Sequence, residues 1–360
     1  MQARPTLMDL SPEETEAWVV AAGGRPFHGR SLRTWVFERG VLEPELWTDL
    51  PQGVRKKLAA ELPVFRGTAG ARIEAKDGAV KFLTHFEATQ SESGAARGRG
   101  AVETVHLPSS RPSGAATLCV STQIGCPVKC PFCASGRDGL VRSLEAGEIL
   151  EQFVRGFAVG PVDRAVIMGI GEPLLNYPAL ERALSVVRQE LGLGARKITV
   201  STVGFPERLA KVARSSPGFQ LAISLHSPFD EQRAELVPLM ADIPVENILR
   251  AGDDWFEVTG REITYEYVLL AGENDSEAHA RELARRLRGR RATVNLIPYN
   301  PTGADQPAGR DRYGRPTAPR ADAFRDVLTQ TGIVATVRWS KGLGAEAACG
   351  QLRASQLTGS

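Results

Sequence analysis

Apolar positions change their rhythm at about residue 115. Beyond it, short runs rich in β-branched residues (117–122, 165–170, 197–202, 220–226, 262–270 and 293–298) alternate with stretches whose apolar residues recur every three or four positions (147–154, 177–191, 206–214 and 276–287). Six such strand-helix units predict an α/β fold, a parallel sheet with right-handed crossovers curved into a partial (β/α)6 barrel. Upstream, only the helical rhythm is visible. Ser11-Pro12-Glu13-Glu14 has the form of a capping box with proline at the first helical position, and helical patterns follow at 31–39 and 52–62. The expected organisation is a small N-terminal helical accessory domain over 1–90, a flexible connection over 91–115 that contains a strand with Glu103, a core over 116–352 and a tail over 353–360.

The polar residues fall where such a barrel would use them, since β/α barrels gather their active sites at the C-terminal ends of the strands. A cysteine-rich loop follows the first strand, Gly171 and Glu172 the second, Ser201 and Thr202 close the third, His226 ends the fourth and Asn300 follows the sixth. The loop carries Cys126, Cys130 and Cys133 in a C-x3-C-x2-C run. Three thiolates can hold three irons of a 4Fe-4S cluster and leave the fourth iron open to a small molecule. The alternative is a structural zinc site completed by Cys119 or a histidine, but zinc sites usually combine two C-x2-4-C or H-x3-5-H units and no second unit is present. Five cysteines in all fit three ligands and two free thiols, Cys119 and Cys349, each of which taken singly is as readily a small buried hydrophobe. With no signal-peptide pattern at the start, a disulfide scaffold is not expected.

Composition adds limits. With 42% hydrophobic residues the chain can build a core, and a net charge of +2 gives no strong global field, so nucleic-acid binding would need local patches. No apolar stretch is long enough to span a bilayer, and a cytoplasmic protein without membrane contact is expected. Arg30, Arg33, Arg39, Arg55, Lys56 and Lys57 lie on or near the N-terminal helical patterns, as a solvated surface or an RNA-contacting one. The stretch 87–101 is poor in apolar residues and reads as a flexible insertion. The Pro/Gly-rich stretch 300–320 carries Arg310, Arg312, Arg315 and Arg320 at the predicted mouth, which suits phosphate contact. The arginines of 281–291 read as an exposed helix face.

A collinear series of motifs then becomes informative: Leu118-Cys119-Val120-Ser121-Thr122-Gln123-Ile124-Gly125-Cys126, Phe132-Cys133-Ala134-Ser135-Gly136, Gly169-Ile170-Gly171-Glu172-Pro173, Ser224-Leu225-His226, Asn295-Leu296-Ile297-Pro298-Tyr299-Asn300 and Ala347-Ala348-Cys349-Gly350-Gln351-Leu352. Over nearly the whole chain it resembles the RlmN/Cfr family of radical S-adenosylmethionine (SAM) adenosine methyltransferases. The resemblance implies a radical SAM barrel, one 4Fe-4S cluster held by Cys126, Cys130 and Cys133, and two SAM molecules per turnover. It assigns Gly171 and Glu172 to the methionine amino group of SAM, Ser201 and Ser224-Leu225-His226 to its adenosine or carboxylate, and Asn300 to the nucleoside.

The implied chemistry accounts for the remaining cysteines. Carbon 2 of adenine is electron-poor and does not attack a methyl sulfonium, whereas a radical cleaved from SAM can activate an unreactive methyl group. By resemblance, Cys349 accepts a methyl from one SAM, a second SAM activates it, and the resulting carbon adds to adenine to give a covalent protein-RNA adduct. Glu103 matches the family's proton acceptor, against the plainer reading of a surface strand glutamate. Cys119 matches the thiol that resolves the adduct, leaving a Cys119–Cys349 disulfide for a thiol reductant to open. Expected partners are 23S rRNA, tRNA near the anticodon as a further substrate, and an electron donor such as flavodoxin. Carbon 8, a diverged paralogue with another substrate, and a non-catalytic RNA-binding module with a structural metal are the alternatives. The chain departs from the family at Gly342-Leu343-Gly344-Ala345-Glu346, usually acidic, at Ile170 and Tyr299, and in the long interval from Glu103 to Cys119. These departures bear on substrate choice more than on reaction type.

Overall fold

The computed structural model describes residues 4–90, 96–109, 114–302 and 312–353. Its N-terminal part is helical. Helix α1 (Pro12–Ala21) starts at the expected capping box, with the Glu14 amide donating to Ser11 Oγ at 3.1 Å and the Ser11 amide to the Glu14 carboxylate at 2.8 Å. Helix α2 (Pro26–Arg33) runs into a π-helical turn (Thr34–Glu38), and α3 (Gln52–Glu61) follows. Arg33 faces inward: it is buried, clasps the Glu190 carboxylate with Nε and Nη2 at 2.6 Å, and also meets Thr15 and the Leu10 carbonyl. It therefore belongs to the interior rather than to an RNA-facing surface. The apolar core is continuous, running from Leu7, Val19, Leu32 and Trp47 into the barrel residues Ile167, Val200 and Ile223.

Ten strands form one sheet in chain order: β1 (Thr68–Glu74), β2 (Val80–Phe86), β3 (Gly100–Leu107), β4 (Ala116–Cys119), β5 (Val162–Ile167), β6 (Ile198–Thr202), β7 (Gln220–Ser224), β8 (Ile263–Leu269), β9 (Ala292–Pro298) and β10 (Val334–Val337). Strands β1 to β4 pair antiparallel, and from β4 to β10 every pairing is parallel. The six expected strands are thus present, and β10 adds a seventh parallel one. Between the parallel strands run α4 (Ala146–Val159), α5 (Tyr177–Glu190), α6 (Pro206–Arg214), α7 (Asp230–Leu236), α8 (Val245–Thr259), α9 (Glu277–Leu287) and α10 (Ala318–Gln330). The sheet curls enough for the segment after β10 to touch β2, where Lys81 Nζ donates to the Glu346 carbonyl at 3.1 Å.

Two expectations change here. The helical character assigned to 1–90 ends at Glu61, because β1 and β2 form a hairpin on the sheet edge. Strand β1 is exposed along its length, so it carries no alternation to read; pairing with β2 makes it a strand. Strand β3 is no flexible connection either, since it is buried from Ala101 to His106 between β2 and β4. Parts of the expected insertion 87–101 and of the arginine-bearing stretch 300–320, Arg310 among them, lie outside the described residues.

Candidate active site

The cysteine loop begins where the short strand Gln123–Gly125, paired with Leu140–Ser143, gives out. Gly125 has φ of +74°, and a Cβ there would lie 2.0 Å from the Gly139 carbonyl oxygen, so only glycine fits. The Cys126 amide donates to that same carbonyl at 3.0 Å, and the Cys133 amide to the Cys130 carbonyl at 3.0 Å. The three thiols are neighbours. Burial pushes Cys126 up to about 12 and Cys130 well above its usual value, and in both cases a thiolate at Cys133 adds to the rise. Beside them lies the buried guanidinium of Arg233, whose charge favours a Cys130 thiolate and whose Nη1 has no partner among the described residues. Burial lowers Arg233 itself to about 10.

The loop opens on a cavity of about 970 Å³, counting its mouth, at the C-terminal end of the parallel strands. Lining groups come from each expected strand end: Gly171 and Glu172 after β5, Ser201 on β6, Ser224 and His226 at β7, Val268 on β8 and Asn300 after β9. Gly171 (φ +112°) lies against Gln123, leaving no room for a Cβ, which would come within 2.7 Å. Glu172 is extended before Pro173, as a residue before proline tends to be. Its carboxylate accepts from Thr202 Oγ1 at 2.6 Å and from the Val203 and Leu174 amides at 2.9 Å, and burial holds its pKa up. Ser201 and Ser224 hydroxyls lie 3.3 Å apart.

His226 adopts a left-handed conformation (φ +64°). Its Nδ1 accepts from the Val268 amide at 3.1 Å, its ring stands edge-on to Phe132, and burial pushes its pKa down to about 3. It is a neutral imidazole with Nε2 as the donor. Leu225, between these two, is fully buried in the core and is absent from the cavity wall. Two groups that the sequence did not reveal are Glu266 and Arg338. Glu266 lines the cavity, accepts from Asn295 at 2.7 Å, and is pushed by burial up to about 7. The Arg338 cation lowers both Cys119 and Cys349.

Cys349 lines the same cavity. It is exposed toward that space but enclosed by protein elsewhere, so burial raises its thiol to about 11. Its segment is pinned by Asn300, whose Nδ2 donates to the Cys349 carbonyl at 3.0 Å, by the Ala134 amide to the Gly350 carbonyl at 2.8 Å, and by Ser135 Oγ to the Leu352 carbonyl at 2.8 Å. Asn300 Oδ1 in turn accepts from Arg315, which stacks on Trp339.

Cys119 and Glu103 lie apart from the cavity lining. Cys119 packs with Ala75, Ala79, Val105, Ala345, Ala347 and Leu352 in a separate apolar cluster under the Cys349 segment. Burial pushes its thiol up to about 12, a Cys349 thiolate adding to the rise. Glu103 is 1% exposed, so it is no surface glutamate. Its Oε1 meets Lys81 Nζ at 2.8 Å, and Oε2 has no partner among the described residues. All five cysteines are free thiols here.

Among the described residues, no group of three His, Cys, Asp or Glu side chains is drawn together around a single point. A 4Fe-4S cluster spreads its irons so that no iron takes more than one thiolate, and three thiolates leave the fourth iron open. Three mutually close thiols around a cavity, with a buried cation to offset their charge, fit that demand.

Comparison with known proteins gives a consistent result. The sequence profile of the Radical SAM superfamily matches residues 120–284, and that of the ribosomal RNA large subunit methyltransferase N-terminal domain matches residues 6–64. The chain is 41% identical over 353 residues to a probable dual-specificity RNA methyltransferase RlmN of Rhodopirellula baltica, covering 96% of this chain and 90% of the relative. It is 39% identical over 359 residues to one of Nostoc punctiforme, covering 98% and 94%. The crystal structure of a radical SAM methyltransferase from Sphaerobacter thermophilus superimposes with a TM-score of 0.85 at 38% identity, covering 97% of this chain and 99% of that one.

Proposed function

The chain belongs to the RlmN family of radical SAM RNA methyltransferases, and from that membership we propose that it methylates carbon 2 of an adenosine in 23S rRNA, with tRNA near the anticodon as its second substrate. The family implies a 4Fe-4S cluster and SAM. The ribosomal character of the N-terminal match supports the first substrate, and the dual-specificity description of the relatives supports the second. The observation that carries the mechanism is the position of Cys349, on the cavity wall with the three cysteines and against the cluster that holds Cys119.

Cys126, Cys130 and Cys133 hold the cluster, with Arg233 offsetting their charge. When bound, the cluster supplies the electron that cleaves SAM into a radical able to activate an inert methyl group. Gly171 and Glu172 meet the methionine amino group; the Glu172 carboxylate is already engaged by three donors, and the Glu172 carbonyl accepts from the Leu175 amide at 3.1 Å. Ser201, Ser224 and the His226 Nε2–H supply polar contacts to the rest of SAM. Leu225 has its side chain in the core and its backbone paired with Glu266, Ser227 and Arg233, so it positions its neighbours Ser224 and His226. Asn300 holds the Cys349 carbonyl and so presents the sulfur to the cavity.

Cys349 accepts the methyl and carries the activated carbon to adenine. The odd electron left by radical addition passes to a one-electron acceptor, and Glu103 takes the ring proton of the adduct, whose bonding pair restores the aromatic ring. Cys119 then attacks the Cys349 sulfur: an S–S bond forms, the S–C bond breaks with its electron pair going to carbon, and that carbon takes a proton to become the new methyl group. A thiol reductant returns both cysteines, and a flavodoxin-type donor supplies electrons. The setting is the cytoplasm, where reduced thiols persist; no helix among the described residues is long and apolar enough to cross a membrane.

The test is nucleoside mass spectrometry on 23S rRNA and tRNA incubated anaerobically with the reconstituted protein, SAM and a reductant. The expected product is 2-methyladenosine. An 8-methyladenosine product would move the reading to carbon 8, SAM cleavage without product would mean another substrate, and a protein without iron that binds RNA would make it a binding module.

A further inference from the structure

The assignment of Glu103 as proton acceptor raises a difficulty that the structure itself answers. A base acts only as the carboxylate, and burial is the largest influence on Glu103 and favours its neutral acid. The Glu346 charge pushes the same way, and the Cys119 thiol on neighbouring β4, pushed up to about 12, is neutral near pH 7 and gives no help. Two groups oppose them. Lys81 is the stronger, and the backbone N–H of Arg353 the weaker.

Lys81 is placed unusually for a lysine. It lies on β2, in the antiparallel part of the sheet, and is buried at 5% exposure. Its ammonium is shared between Glu103 Oε1 at 2.8 Å and the Glu346 carbonyl at 3.1 Å. Glu346 itself is left-handed (φ +49°), three residues before Cys349. The same hairpin holds that segment a second time, through the Gly342 amide to Asp77 Oδ2 at 2.6 Å. One cation thus touches both the base and the strap bearing the sulfur, while Glu103 Oε2 makes no close hydrogen bond among the described residues.

We propose that Lys81 is a positioning residue for proton removal: its ammonium favours the Glu103 carboxylate against the burial around it, and through the Glu346 carbonyl it fixes that carboxylate against the segment carrying Cys349. In the step it serves, the adduct left by radical addition gives up its odd electron to a one-electron acceptor of the iron–sulfur class, the C–H bond at the adenine carbon breaks, its electron pair stays with the ring to restore aromaticity and the proton passes to Oε2. This rests on the reading of Glu103 as the acceptor.

The experiment follows product release from the RNA adduct against pH in the reconstituted enzyme, with Lys81→Met, Lys81→Arg and Glu103→Gln beside the parent, using adenosine with hydrogen or deuterium at the reacting carbon. Loss of the cation lets the Glu103 pKa climb, so the acidic limb of Lys81→Met moves up by roughly one to three pH units. Activity returns at alkaline pH, which separates this from misfolding, and a primary deuterium isotope effect grows below the limb. Lys81→Arg keeps the charge and returns the limb toward the parent. An unshifted limb and unchanged isotope effect in Lys81→Met, with Glu103→Gln trapping the adduct, would overturn the role of Lys81 alone. Parent-like release by Glu103→Gln would instead overturn the reading of Glu103.

Discussion

Two compartments meet at Cys349, and they are built differently. The cavity is a product of the parallel strands: β5 to β9 each contribute a group, the lining is polar at Ser201, Ser224 and Glu266, and its charge is balanced by buried Arg233. The compartment behind the strap is built from the β1–β2 turn, β3, Cys119 on β4, Ile170 after β5 and the C-terminal segment, and it sets an apolar cluster beside the Lys81–Glu103 pair. The contrast matches two kinds of chemistry. Radical generation needs an open site for a cofactor, whereas resolution needs a thiol and a base kept from solvent until the adduct arrives. Cys349 faces the first and packs against the second.

The largest effects should come from the shared residue. Cys349→Ala is expected to abolish methyl transfer while leaving iron content unchanged, because Cys349 is not among the three proposed ligands; loss of iron, measured by absorbance and metal analysis, would merge the two compartments. Cys130→Ala should do the converse, removing iron and all SAM cleavage but leaving the Cys119 cluster packed, as thermal melting would report. The pair sharpens the comparison because each variant addresses one side of the strap.

Smaller effects probe the second compartment. With its thiol pushed up to about 12 by burial, Cys119 is protonated across the working range, and its thiolate fraction rises about tenfold per pH unit until that value is reached. Adduct resolution should therefore accelerate with pH on the alkaline side, in rapid-quench assays; a flat profile would mean that a neighbouring base removes the proton. Smallest is Leu352→Ala. Leu352 anchors the strap in the apolar cluster, and truncation should cost about 2–3 kcal/mol, read in denaturant melts, with iron content unchanged.

The first compartment was legible in the sequence and the second was not, for physical reasons. Strands that follow one another in parallel show as repeated apolar runs, and a cysteine triad has a spacing imposed by its ligand, so the strand ends and Cys126, Cys130 and Cys133 were placed by pattern. Strand β1 has no buried face and β10 has four residues, so neither carries a period. Lys81, Glu266 and Arg338 matter through partners on other strands, which no local spacing encodes. Leu225 shows the opposite failure: it stands within a motif, yet alternation along the chain turns its side chain into the core. Glu103 and Cys119 were located only through the family resemblance, and burial then gave them their character.

The most direct test of the two-compartment account is peptide mapping of Cys119→Ala after anaerobic reaction with RNA, SAM and reductant, followed by nuclease digestion and tandem mass spectrometry. The account predicts an adenosine joined through one carbon to the Cys349 sulfur, with the cluster intact and no released methyladenosine. Normal turnover by this variant, or an adduct on any residue other than Cys349, would contradict it.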